Sequence, residues 1–195
     1  MQVDQLIAYF NKYIPLNEIE KNALIVRIRE RRIKRRQFVL QQNEVCKHYI
    51  FVVSGCFKMY AVDQNGTEHN LQFAAENEWI TDIGGFHSGK ETQLYIEAIE
   101  PSIILQLEKT DLIYLYHNHQ KFDRIFRVIA ENNYVELQNR VLQNISSTAQ
   151  ERYLAFLIQY PTLANRLPNT QIASYLGITP EFLSKIRAKI SKNPR

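Results

Sequence analysis

The chain has 195 residues, 45% hydrophobic and 23% charged, with a formal net charge of +4, a balance ordinary for a globular protein of one large or two smaller domains. No apolar stretch approaches the roughly 20 residues that span a bilayer. The start Met1-Gln2-Val3-Asp4 lacks a basic segment followed by an apolar one, so export is not expected and the cytoplasm is the default. Cys46 and Cys56 stand apart with no CxxC pair, which argues against a disulfide framework, a zinc site or an iron–sulfur cluster.

Residues 3–30 place Leu6, Ile7, Phe10, Ile19, Leu24 and Ile28 at helical spacing around Pro15, which predicts two short helices. A basic run follows, Arg27-Ile-Arg-Glu-Arg-Arg-Ile-Lys-Arg-Arg36, with seven cations in ten residues. It lies where a helix feeds the first strand, so a solvated face is the expected reading and a contact with flanking DNA the sharper alternative. From Ile33 to Leu107 the period falls to two. Short β-branched and aromatic runs alternate with turn signals at Ser54-Gly55 and Asn65-Gly66, where Asn65 and Gly66 can both supply positive φ. Several such strands predict an antiparallel roll or barrel.

Helical periodicity returns near Asp111. It is strongest from Phe122 to Ile145, where Phe126, Ile129, Asn133, Leu137, Val141 and Ile145 form one stripe. So long a helix needs a surface to cover its stripe: the same helix of a second subunit, with Asn133 suited to fixing register, or the chain's own roll. Thr148 and Glu151 stand in capping-box relation and open the next helix. The expected domains are therefore 1–120, a sensor roll; 121–145, a dimerisation helix; and 146–195, a small C-terminal domain.

That last segment carries seven basic groups against two acidic ones, leaving the first 145 residues at −1. A polyanion partner, double-stranded DNA above all, is expected there. Within it, Asn169 to Ala188 meets the requirements of a helix-turn-helix. Ile172, Leu176, Ile178, Leu183 and Ile186 form a shared core, small Ala173 lets the helices approach, and Gly177 supplies the left-handed turn. Thr179 caps the second helix, with Pro180 in its first turn. A helical wheel turns Glu181, Ser184, Lys185 and Ala188 away from Leu183, Ile186 and Ile190. Glu181 suits a cytosine amino group and Lys185 a guanine edge, while Arg187 and Lys189 on the flanks suit phosphates. The chain runs only a few residues past this helix, so any wing is expected before the motif, around Arg166-Leu167-Pro168-Asn169.

On Tyr49–Tyr60, Trp79–Ala98, Glu151-Arg152-Tyr153-Leu154 and Ile172–Ile186, the chain resembles the CRP/FNR family of bacterial transcription regulators. The resemblance implies an α+β fold: an N-terminal cyclic-nucleotide-binding-type β-roll with flanking helices, a long dimerisation helix through Phe126, Ile129, Asn133, Leu137 and Val141, and a C-terminal helix-turn-helix (winged-helix-like) domain. It also implies a homodimer on a palindrome, with RNA polymerase and a small-molecule effector as further partners. In cyclic-AMP-binding members a Gly-Glu pair holds the ribose and an Arg-Ser pair the cyclic phosphate. Those positions fall on Thr81-Asp82 and Thr92-Gln93, so the phosphate arginine is missing. Lys90 is the nearest cation, a flexible point charge rather than a fork. Cyclic AMP is accordingly not expected, and the effector is another molecule or none.

Two other classes compete. An enzyme in a double-stranded roll would need clustered ligands, yet His48, His69, His87, His117 and His119 form no HxH plus Glu arrangement on a strand, and Ser54 lacks a GxSxG setting. No catalytic residue is therefore expected. A sensor or adaptor that does not bind DNA is the second alternative.

Overall fold

The computed structural model describes residues 2–192, with side chains to Ser191; Arg195 and the Lys192 side chain, both counted in the basic segment, fall outside this description. The elements run α1 (Gln2–Asn11), α2 (Glu18–Ile25), β1 (Ile28–Ile33), β2 (Phe38–Leu40), β3 (His48–Ser54), β4 (Phe57–Val62), β5 (Glu68–Ala74), β6 (Trp79–Ile80), α3 (Ile83–Ser88), β7 (Leu94–Ala98), β8 (Ser102–Glu108), α4 (Lys109–Asn118), α5 (Gln120–Ser146), α6 (Ala149–Gln159), α7 (Asn169–Leu176) and α8 (Pro180–Lys192), with a 3₁₀ turn at Leu163–Asn165. They divide into two compact units, 1–61 with 72–132 and 62–71 with 133–195. This division differs from the expected boundaries at 120/121 and 145/146: it passes through α5 and places the tip of the β4–β5 hairpin with the C-terminal unit.

In the first unit, two four-stranded sheets form the roll, in the orders β1-β8-β3-β6 and β2-β7-β4-β5. The period-two reading fixes which side chains share a face. Tyr49 and Phe51 of β3 join α1 and α5 in an aromatic cluster in which the rings of Phe10 and Phe126 lie 5.6 Å apart, those of Tyr49 and Phe126 5.4 Å and those of Phe51 and Trp79 5.1 Å. Phe122, Ile125, Phe126 and Ile129 of α5 are all buried in this core. α5 is also tied to α2 by Lys121, whose Nζ donates to Glu20 Oε2 at 2.9 Å and to Pro15 O at 2.8 Å.

The basic run folds as β1, the edge of its sheet. Arg29, Arg31 and Arg32 are exposed, and charged side chains along an edge strand discourage pairing with another chain. Arg27 is held locally: it donates to Ala23 O at 2.8 Å and lies 3.5 Å over the Tyr114 ring. At the β3–β4 turn Gly55 has φ +98°, and an added Cβ would come within 2.0 Å of Ser102 Oγ, so only glycine fits. The hairpin turn departs from expectation. Gly66 alone takes positive φ, at +80°, because Asp63 Oδ1 accepts from both Asn65 N and Thr67 N and so shapes a wider loop in which Asn65 need not adopt it.

The second unit is helical apart from the hairpin tip. Thr148 opens α6 with the reciprocal bonds of a capping box, Thr148 N to Glu151 Oε2 at 2.7 Å and Glu151 N to Thr148 Oγ1 at 3.3 Å. Tyr153 and Phe156 of α6, Leu163, Leu167, Ile172, Ala173 and Leu176 are buried with Leu183 and Ile186 of α8. No strand lies in residues 146–192. The segment expected to supply a wing instead follows the 3₁₀ turn, with Leu167 buried beneath it.

Candidate nucleic-acid interface and roll pocket

Gly177 ends α7 at φ +65°, and Ile178 N donates to Ala173 O at 3.0 Å, the six-to-one bond that closes a helix with a left-handed residue. Two residues later Thr179 Oγ1 accepts from Phe182 N at 3.2 Å and starts α8. Leu183 and Ile186 turn inward at 0% and 5% exposure. Glu181, Ser184, Lys185 and Ala188 are exposed on the opposite side, the arrangement the wheel predicts, and Lys189 is exposed on the flank. Thr179 is exposed at the N-terminal end of this surface.

Arg187 is the exception. Its guanidinium donates from Nε to Tyr153 Oη at 2.8 Å, from Nη2 to Ala164 O at 3.2 Å and from Nη1 to Asn169 Oδ1. It ties α8 to α6 and to the start of α7, so the flank position read as a phosphate contact is occupied by a structural clamp. A neighbouring residue escaped the sequence reading. Phe182 is 48% exposed on α8, and its spacing with Lys185 and Lys189, three and seven residues on, would have placed it on the same flank. An apolar ring there suits a thymine methyl group.

The hairpin tip is bonded to α7. Asn70 N donates to Ser174 Oγ at 3.1 Å, Ser174 Oγ donates to Glu68 O at 2.7 Å, and Asn70 Nδ2 donates to Gln171 O at 3.1 Å. Arg140 of α5 donates to Leu71 O, to Asn70 O at 3.1 Å and to Tyr175 O at 3.3 Å, with its guanidinium 4.0 Å over the Tyr175 ring. Further along α5, Leu137, Val141 and Ile145 are 56%, 50% and 79% exposed, and Asn133 is half-buried. Phe126 and Ile129, read into the same dimerisation stripe, are core residues of the roll and are unavailable to a second subunit.

In the roll, each expected pocket residue has a local task. Thr81 Oγ1 accepts from Ile50 N at 3.2 Å, Asp82 Oδ1 accepts from Gly85 N at 3.1 Å as the cap of α3, and Thr92 Oγ1 accepts from Leu94 N at 3.0 Å. Gln93 Oε1 accepts from Gln42 Nε2 at 2.9 Å. Thr92 is only 2% exposed and Lys90 is fully on the surface. Thr81, Thr92 and Gln93 are neutral and Asp82 is acidic, so this set holds no cation to give an anion a charge-assisted bond.

Cys46 and Cys56 are buried free thiols, and burial pushes Cys46 up to about 11. Among the described residues no group of three His, Cys, Asp or Glu could hold a metal ion, and no helix is long and apolar enough to cross a membrane.

Residues 30–119 match the family model of the cyclic nucleotide-binding domain. The chain shares its fold with solved regulators. FixK2 from Bradyrhizobium japonicum is 19% identical over 85% of each chain, with a TM-score of 0.73. The c-di-GMP-responsive global regulator CLP of Xanthomonas campestris is 12% identical over 90% of this chain and 92% of that one, with a TM-score of 0.72. A transcriptional regulator assigned to the CRP/FNR family, from Eubacterium rectale, is 14% identical over 94% and 88%, with a TM-score of 0.72. None of the curated proteins matches.

Proposed function

We propose that this chain, whose residues 30–119 belong to the cyclic nucleotide-binding domain family, is a DNA-binding transcription regulator of the CRP/FNR type that reads a palindromic operator as a homodimer. The observation that carries the reading is α8. Its buried side is satisfied by α7, while Glu181, Phe182, Ser184, Lys185 and Lys189 remain exposed on a helix of the length a major groove accepts. The exposed apolar residues Leu137, Val141 and Ile145 support pairing of α5 with a second copy, and Asn133 lies where a polar residue would set register. As a DNA reader the protein works in the cytoplasm and is not an enzyme; RNA polymerase is the further partner such a role requires.

Its effector is a molecule other than cyclic AMP, or none. The environment of Thr92 supports this, and saturating cyclic AMP is expected to leave the melting temperature unchanged. An effector acts by favouring one packing of the paired α5 segments and thereby one spacing of the two α8 helices.

The deciding experiment is selection of bound sequences from a random DNA pool by the purified protein without added ligand. Enrichment of a palindrome with half-site centres about 34–36 Å apart upholds the reading. Retention of DNA with no sequence preference overturns the operator reading, and retention of none, with or without cell-extract metabolites, overturns it in favour of a sensor that does not bind DNA.

A further inference from the structure

The β1-β8-β3-β6 sheet carries a cleft of about 400 Å³ that none of Thr81, Asp82, Thr92 or Gln93 lines. Its wall is split in character. Leu40 and Ile50 supply apolar surface, while Arg31, Lys47 and His48 supply donors. Glu44 also lines the cleft, where its carboxylate accepts from Gln41 N at 2.8 Å and sets one negative charge against the two cations. The neighbouring Arg29 is paired with Glu108 at 3.2 Å. Arg31 and Lys47 form no ion pair among the described residues.

Gln106 is the second observation. It stands directly opposite Ile50 across β3–β8 and opposite Arg29 across β1–β8, and so shares their face of the sheet. It is 3% exposed. Arg31 Nη1 donates to its Oε1 at 3.3 Å. A guanidinium can only donate, so this bond sets the orientation of the amide. Gln106 Nε2 is then buried with no acceptor among the described residues, and native interiors rarely leave such a donor without reason. Burial, the largest cause, holds the His48 imidazole below its ordinary value; the Glu108 carboxylate opposes this, and the charges of Arg31, Arg29 and Lys47 add to it. Apart from Glu44, the charged groups that line the cleft are the cations Arg31 and Lys47.

We propose that this cleft binds a small carboxylate with a short apolar body, the carboxylate between Arg31 and Lys47 and the hydrocarbon against Leu40 and Ile50. The size is right for a small metabolite. Two cations give the carboxylate charge-assisted bonds, and the bond from Arg31 to the buried Gln106 holds one of them in place. The site does not depend on whether the chain reads DNA.

Three probes separate the two chemistries: hexanoate has charge and chain, n-hexanol only the chain, and inorganic phosphate only the charge. Each is titrated into the isotope-labelled full chain, following the Ile50 methyl and His48 imidazole resonances. Hexanoate is expected to bind saturably with a Kd on the order of 1 mM or tighter, and the other two at least about tenfold more weakly, a difference of about 1.4 kcal/mol. The His48 titration midpoint should rise when hexanoate is bound, because an adjacent anion favours the imidazolium. The double variant R31Q/K47Q alters two exposed side chains and should keep the spectrum away from the cleft while losing about tenfold or more in hexanoate affinity. The proposal is overturned if hexanol binds as well as hexanoate, if hexanoate gives no saturable shift, or if R31Q/K47Q binds it unchanged.

Discussion

The two halves of α5 share one periodicity and have opposite surroundings. Phe122, Ile125, Phe126 and Ile129 are at most 4% exposed, whereas Leu137, Val141 and Ile145 are at least half exposed. A hydrophobic stripe reports that a face needs covering; it does not report what covers it. In the first half the cover is the aromatic cluster of the roll. In the second half the described residues leave Leu137, Val141 and Ile145 at least half exposed, which is why the dimer proposal rests on residues beyond Asn133 alone.

The sharpest way to break that contrast is a pair of truncations. Phe126→Ala should cost about 3–5 kcal/mol in urea unfolding, because it opens a cavity among Phe10, Tyr49 and Trp79. Leu137→Ala should shift subunit stability by less than about 1 kcal/mol and instead weaken self-association in sedimentation equilibrium. Equal destabilisation by the two would mean that the second half is also covered within the subunit.

The next contrast lies on α8. Arg187→Ala removes three hydrogen bonds within the C-terminal unit and should destabilise it by about 2–4 kcal/mol, seen as a lowered melting transition. Lys189→Ala should leave melting unchanged, weaken binding to all DNA sequences alike and reduce the salt slope by about 1. If Arg187→Ala melts normally, the clamp is not structural.

Base readout predicts smaller and more local effects. Lys185→Ala should relax preference at one position per half-site, at about 1–3 kcal/mol; equal losses on cognate and scrambled DNA would reject it as a base reader. Replacing the thymine beside Phe182 by uracil removes one methyl group and should cost the parent protein up to about 0.8 kcal/mol. The same replacement should cost Phe182→Ala nothing.

The smallest effect is electrostatic. Burial raises the Glu20 carboxyl, but the Lys121 ammonium and the Asn17 backbone donor outweigh it and leave the group below its usual value. A lowered folded value means that the stabilisation is fully present above the unfolded value of about 4.3 and fades as pH falls through the folded one. Glu20→Gln should therefore flatten the stability curve in that acidic window, measured by urea titration, and leave its slope at neutral pH unchanged.

Local chemistry explains what could be read without coordinates. The helix-turn-helix was legible because its determinants are near neighbours in the chain: Ala173, Gly177, Thr179, Pro180 and the apolar spacing all act within one or two turns. The strands and the Thr148 capping box were legible for the same reason. The bonds of Arg187 within the unit were not legible because its partners, Tyr153, Ala164 and Asn169, come from three other segments, and a helical wheel sees only the helix. Phe182 was missed on readable spacing, since an aromatic residue beside Leu183 passes for core.

The amino-acid sequence by itself determined the α+β order of elements, the glycine turns and the outward face of α8, all consequences of short-range geometry and backbone freedom. Only the tertiary structure decided where α5 changes environment, that the hairpin tip belongs with α7, that Thr81, Asp82, Thr92 and Gln93 are each bonded within the fold, and that Arg31, Lys47 and His48 converge on one cleft, with Gln106 bonded to Arg31. Those outcomes depend on pairings as distant as Ser174 with Glu68, 106 positions apart. Such pairings are fixed by sheet register and packing, which no local pattern of residues encodes.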